Sequence, residues 1–136
     1  MANTAKTIEQ KRSSFAFKCA EEAKGKKFSG KYKSLVKKFP MMVLRNGMLQ
    51  ALAFIESKIE KEKGREKESE HKLLRDHIEE YMRSDTSPLS LSSNGRLSEY
   101  LSNKATVEEY RLITQDVLSF MNWLRRYTEA FIEKEE

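Results

Sequence analysis

The chain has 136 residues, with 26 Lys and Arg against 21 Asp and Glu, 5 Gly, 2 Pro and one cysteine. That length bounds it to one modest core and that composition favours helix. Cys19 alone cannot form an internal disulfide, which points to a reducing, cytoplasmic setting, and no apolar run nears the roughly 18 residues of a membrane span. The charge is uneven: residues 1–47 carry 12 Lys and Arg against 3 Glu, a net of +9, while residues 48–136 carry a net of −4. Such asymmetry fits an anionic partner or a self-complementary assembly, and equally a solvated basic face that keeps the chain soluble.

The N-terminal MANTAKTIEQKRSS lacks the apolar segment of a secretory signal. Thr7 and Gln10 have capping-box spacing, so a first helix is expected from there to Lys24 and Gly25. Ile8, Arg12, Phe15, Cys19 and Ala23 share its stripe, flanked by Ala16 and Ala20. Arg12 interrupts that stripe. Either its stem lies along the core edge with the head in water, or the head is offered to a partner.

Ser29 or Gly30 opens a short second helix with Tyr32, Leu35, Val36 and Phe39 inward. Pro40 is expected to break or kink it, because proline has no amide proton and disfavours helix at the preceding residue. Asn46-Gly47 marks a boundary where glycine can take a left-handed backbone. A helical pattern resumes at Met48, Leu52, Ile55 and Ile59 and runs to about Lys63.

Residues 60–71, EKEKGREKESEH, read as an exposed charged connection that buries nothing, with a turn at Gly64. The following helix carries Leu74, Ile78, Tyr81 and Met82 on one side. Residues 84–95, SDTSPLSLSSNG, are a Ser/Pro/Gly-rich loop, and a short helix with Leu97, Tyr100 and Leu101 comes after it. Thr106 and Glu109 form a second capping box, opening a helix of about 27 residues, roughly 40 Å long. Its seam is Tyr110, Ile113, Val117, Phe120, Leu124, Tyr127 and Phe131. No segment alternates with a period of two, so no sheet is expected. The fold class is therefore all-α: a compact single-domain bundle of five or six helices with the C-terminal helix as spine.

Reactive chemistry is not signalled. His71 and His77 fall on different sides of a helix, outside any HExxH or CxxC context, so neither a metal nor another cofactor is expected. Cys19 reads as a small core residue. Phosphate-cradling glycine loops and a serine elbow are missing, and the carboxylates are mixed with lysines on solvated faces. These features argue against an enzyme.

The segment FPMMVLRNGMLQALAFIESK and the last helix, EEYRLITQDVLSFMNWLRRYTEAF, resemble the small helical subunit of the type III-B CRISPR effector, the RNA-guided Cmr complex. The matching positions are Pro40, Asn46, Gly47, Leu52, Ala53, Phe54 and Lys58, then Tyr110, Arg111, Thr114, Trp123, Leu124, Arg126, Glu129 and Ala130. The resemblance covers roughly residues 8–60 and 97–131, and Met48 departs from it, standing where leucine is expected. It implies an all-helical, non-catalytic subunit in antiviral defence. Copies would stack along the channel of the guide–target RNA duplex, opposite the subunits that hold the guide and cut the target. The implied partners are the other Cmr subunits, neighbouring copies, guide RNA and target RNA, with no membrane and no small-molecule substrate.

The surplus of positive charge could lie along a phosphate backbone. The candidate phosphate contacts are Lys11, Arg12, Lys18, Lys37, Lys38 and Arg45, with Arg125 and Arg126 behind them. In the last helix, Trp123 is expected to pack on the middle helix, with Arg126 pairing to Glu129 or Glu133; alternatively Arg125 or Arg126 reaches RNA or a neighbour. Two other readings are a stand-alone helical DNA-binding regulator and a protein-only adaptor. The first needs a recognition helix with polar base readers, and MLQALAFI after the Gly47 turn is apolar.

Overall fold

The computed structural model describes residues 6–89, 91 and 95–133. It is an all-α structure of six helices among those residues: α1 (Ile8–Lys24), α2 (Ser29–Asn46), α3 (Met48–Ser57), α4 (Glu70–Arg83), α5 (Leu97–Asn103) and α6 (Val107–Phe131). Both expected capping boxes form. Thr7 Oγ1 accepts from the Gln10 amide while Gln10 Oε1 accepts from the Thr7 amide, and Thr106 and Glu109 repeat the exchange at the start of α6.

The spine is the 25-residue α6, with α1 and α2 packed along it. Ile113, Val117, Phe120 and Leu124 from its seam are buried, as are Met121 and Asp116, while Tyr110, Tyr127 and Phe131 are half-buried at the seam's two ends. The α4 face, with Leu74, Ile78, Tyr81 and Met82 buried, closes the core against α1, α2, α3 and α6. Tyr81 and Phe120 stack at its centre, with ring centroids 4.4 Å apart and planes 6° from parallel. Phe15 from α1 meets both rings edge-on.

Three local expectations change. Pro40 neither breaks nor ends its helix: α2 runs unbroken through it to Asn46. The proline forfeits one amide bond toward Val36, but Tyr32, Leu35, Val36, Phe39 and Val43 are buried on the same face, and that packing offsets the loss. The helix α3 ends at Ser57, short of Lys63. The charged stretch after it then makes a two-residue antiparallel hairpin, β1 (Lys61–Glu62) with β2 (Arg65–Glu66). Lys63 and Gly64 both have positive φ, 54° and 77°, the backbone of a tight hairpin turn.

That charged stretch is also tied down at one point. Glu66 accepts two bonds from the buried Arg75 guanidinium, at 2.6 and 2.7 Å. These bonds pull the Glu66 carboxyl down to about 2.

Two helices take their first-turn partners from neighbouring helices. At the α2–α3 junction Gly47 has φ +88° and ψ 161°, a backbone that suits glycine alone. No side chain of that junction caps α3; instead the Leu49 amide donates to the Tyr110 hydroxyl of α6 at 3.0 Å. For α5, the Leu97 amide donates to the buried Glu79 carboxylate of α4 at 3.0 Å, and Arg96 pairs with the same group at 2.9 Å. Of the Ser-rich loop, residues 84–89 are turns and bends, and residues 90 and 92–94 lie outside the described residues.

Candidate nucleic-acid interface

The basic residues of the first third divide by helix face. Lys11 and Lys18, seven residues apart on α1, are exposed on one stripe with Ser14 between them. Lys18 edges a groove between α1 and α6 that is lined by Phe17, Trp123 and Tyr127. Trp123 thus packs toward α1 rather than the middle helix, because its stripe of α6 faces the first helix. It lies beside Tyr127, centroids 6.2 Å apart, and the Tyr127 hydroxyl is 2.6 Å from Ser13 Oγ.

Arg12 departs from both expectations. Its head is neither in bulk water nor offered outward. Nε donates to the Tyr81 hydroxyl and Nη2 to Asp116 Oδ1, each at 3.0 Å. Tyr81 donates to the same Oδ1 at 2.6 Å, and the Ser87 hydroxyl donates to Oδ2. Burial, reinforced by Asp116, holds the Tyr81 hydroxyl protonated well above the ordinary phenol range. A guanidinium held this way serves the fold. A phosphate contact would have to compete with Asp116.

On α6 the expected pairing is shifted by one residue. Arg125 donates to Glu129 at 3.1 Å, whereas Arg126 is exposed and has no ion-pair partner among the described residues. On α2, Lys37 and Lys38 are exposed on adjacent faces, and Arg45 is exposed at the last turn. Lys38 and Arg45 share a second groove with Lys31, walled by Phe54 of α3 and His71 of α4 and floored by Leu35, Met41 and Met42. Lys31 is the residue that sequence reasoning missed. Its spacing of seven to Lys38, repeated to Arg45, was there to be read.

The remaining reactive types are accounted for inside the fold. Cys19 is buried, and burial raises its thiol far above the ordinary range. His77 is 1% exposed, with Nδ1 2.6 Å from the Tyr32 hydroxyl and Nε2 2.7 Å from Glu22. Tyr32 is wholly buried and His77 nearly so, while Glu22 at the outer end of this row is exposed. No cluster of three or more His, Cys, Asp or Glu able to hold a metal ion occurs among the described residues. None of the described helices is long and apolar enough to cross a membrane. In α3, Met48, Ala51, Leu52 and Ile55 face the core, and the exposed side carries Gln50, Ala53 and Phe54 with no basic residue.

Comparison with known proteins places this arrangement. A family model described as CRISPR-associated protein (Cas_Cmr5) matches residues 8–131. A curated relative, the CRISPR system Cmr subunit Cmr5 of Thermus thermophilus, is 31% identical over 117 residues, covering 86% of this chain and 88% of its own. The crystal structure of a CRISPR-associated Cmr5 family protein, also from Thermus thermophilus, superposes with a TM-score of 0.73 at 25% identity, covering 95% of this chain and all of that one. The match begins one residue after Thr7 and takes in the Gly47 turn, the Thr106–Glu109 capping box and the whole α6 spine, and the chain belongs to the CRISPR-associated Cmr5 family.

Proposed function

We propose that this chain is a non-catalytic small subunit of a type III-B CRISPR (Cmr) ribonucleoprotein in the cytoplasm. Copies stack along the channel of the guide–target RNA duplex and help assemble or stabilise target-RNA binding in antiviral defence. The family supports the assembly. The observation that carries the RNA contact is the pair of exposed lysines on one α1 stripe, Lys11 and Lys18, with Lys18 at the edge of an aromatic-lined groove and with Arg126, which has no ion-pair partner among the described residues, on the α6 turn next to Trp123. Exposed cations neutralise backbone phosphates without reading sequence, and aromatic walls suit any base or ribose that strays from the duplex. Lys37 adds an exposed charge on α2. Arg12 and Arg125 are set aside, since Asp116 and Glu129 engage them. Lys38 and Arg45 belong to the second groove, whose apolar floor calls for another ligand.

The triple variant Lys11→Glu, Lys18→Glu, Arg126→Glu tests this. In the reconstituted complex, target-RNA capture falls at least tenfold at physiological salt. For the isolated chain, the slope of log affinity against log salt on single-stranded RNA becomes shallower by about 2, on the order of 0.7 per lost phosphate contact. The thermal midpoint stays put, because all three side chains are exposed. Capture and slope both unchanged would remove RNA from this face.

A further inference from the structure

The groove between α2, α3 and α4 combines two properties that phosphate recognition does not need together. Lys31, Lys38 and Arg45 stand at successive intervals of seven residues, so they line one side of α2 about 10.5 Å apart. None of the three has an ion-pair partner among the described residues. Between them the surface is apolar: Met41 is 51% exposed and Phe54 41% exposed. Ser34, which also lines the groove, holds the one buried side-chain polar atom without a hydrogen-bond partner among the described residues. The groove is preformed on its α3 side, where Lys58 Nζ sits 5.5 Å from the Phe54 ring and the His71 edge approaches it.

A nucleic-acid strand laid along this groove would set its charged backbone on the exposed Met41 and Phe54 between the three cations, apolar surface that neutralises nothing. A helix has the complementary pattern. Carboxylates at every seventh position recur at about the same 10.5 Å, and the apolar side chains between them meet the methionines, which adapt to irregular partners.

We propose that this groove binds an acidic amphipathic helix supplied by another protein subunit of the ribonucleoprotein, its heptad-spaced carboxylates paired to Lys31, Lys38 and Arg45. A second copy of this chain does not fit. In its described helices the only carboxylates seven residues apart are Glu109 and Asp116, and both are engaged inside the fold, by Thr106 and by Arg12. The proposal rests on the assembly reading above and goes beyond it in naming the face and the partner's chemistry.

The test places a photo-crosslinking p-benzoylphenylalanine at Met41 in the complex reconstituted from all subunits and its guide RNA, with the same group at Leu44 in a separate control. Co-purification before irradiation reads complex membership on its own. After irradiation, the expected adduct is a helical peptide of another subunit with Asp or Glu seven residues apart. Its yield falls at least tenfold in the Lys31→Glu, Lys38→Glu, Arg45→Glu background and is unchanged in the Lys11→Glu, Lys18→Glu, Arg126→Glu background. An adduct to RNA, to a second copy or to a peptide without that acidic spacing overturns the proposal, as does the lack of any adduct. Exclusion of the Met41 variant alone, with the Leu44 control incorporated, supports the groove as the contact. Exclusion of both removes the assembly reading and this assignment with it.

Discussion

Asp116→Ala lowers the thermal midpoint by about 10 °C or more, the largest single effect expected in this fold. Asp116 is 5% exposed and takes bonds from three directions: Arg12 of α1, Tyr81 of α4 and Ser87 of the loop after α4. Without it, the Arg12 guanidinium sits beside the core with no counter-charge, and two hydroxyls lose their acceptor. Breaking a buried pair from one side costs about 3–5 kcal/mol, against a total stability of about 5–15 kcal/mol. Removing both partners behaves differently. With Arg12→Met and Asp116→Leu together no buried charge remains, so much of the loss returns. A double-mutant cycle by urea denaturation separates the two cases. Additive losses, with a coupling below about 0.5 kcal/mol, would mean the pair does not hold α1 to α6.

The second large effect is Phe120→Ala, expected to cost about 3–5 kcal/mol. Phe120 has no exposed surface, stacks on Tyr81 and receives the edge of Phe15. The three rings come from three helices that close the core, and rigid aromatic neighbours collapse poorly into a void. Tyr81 also loses the surface that aims its hydroxyl at Asp116, so the combination of Phe120→Ala with Asp116→Ala costs less than the sum of the two. Calorimetry of the single variant checks the size. A loss under about 1 kcal/mol would show that α1 and α4 can close on the missing ring.

Much of this fold could be read before any coordinates, for local reasons. A capping box is written within four residues, so Thr7–Gln10 and Thr106–Glu109 announce α1 and α6 directly. The seam of α6 is a pattern with one period, and its central members are the buried ones. What stayed hidden depends on distance along the chain. Nothing near Arg12 indicates a carboxylate 104 residues later. Pro40 looks like a break because the buried face that carries α2 through it is tertiary. The turn at Gly64 was legible, but Lys63-Gly64 lacks the Asn-Gly or Asp-Gly signal of a hairpin, so the strand pairing on either side of it was not. Among the candidate site residues, sequence identified the cations by sign alone. It could not tell that Arg12 turns inward, that Glu129 takes Arg125 rather than Arg126, or that Lys31 joins Lys38 and Arg45.

The manner in which α3 and α5 begin makes both dependent on their neighbours. Ten and seven residues are too few for a helix to persist alone in water, and the amide partners at their starts come from α6 and α4. These two helices are therefore expected to depend on α6 and α4 being in place, and their amides to exchange with solvent sooner than those of the long rods. Phe54 sits on one of them. One wall of the second groove thus stands on an element whose stability is borrowed from the neighbours it packs on.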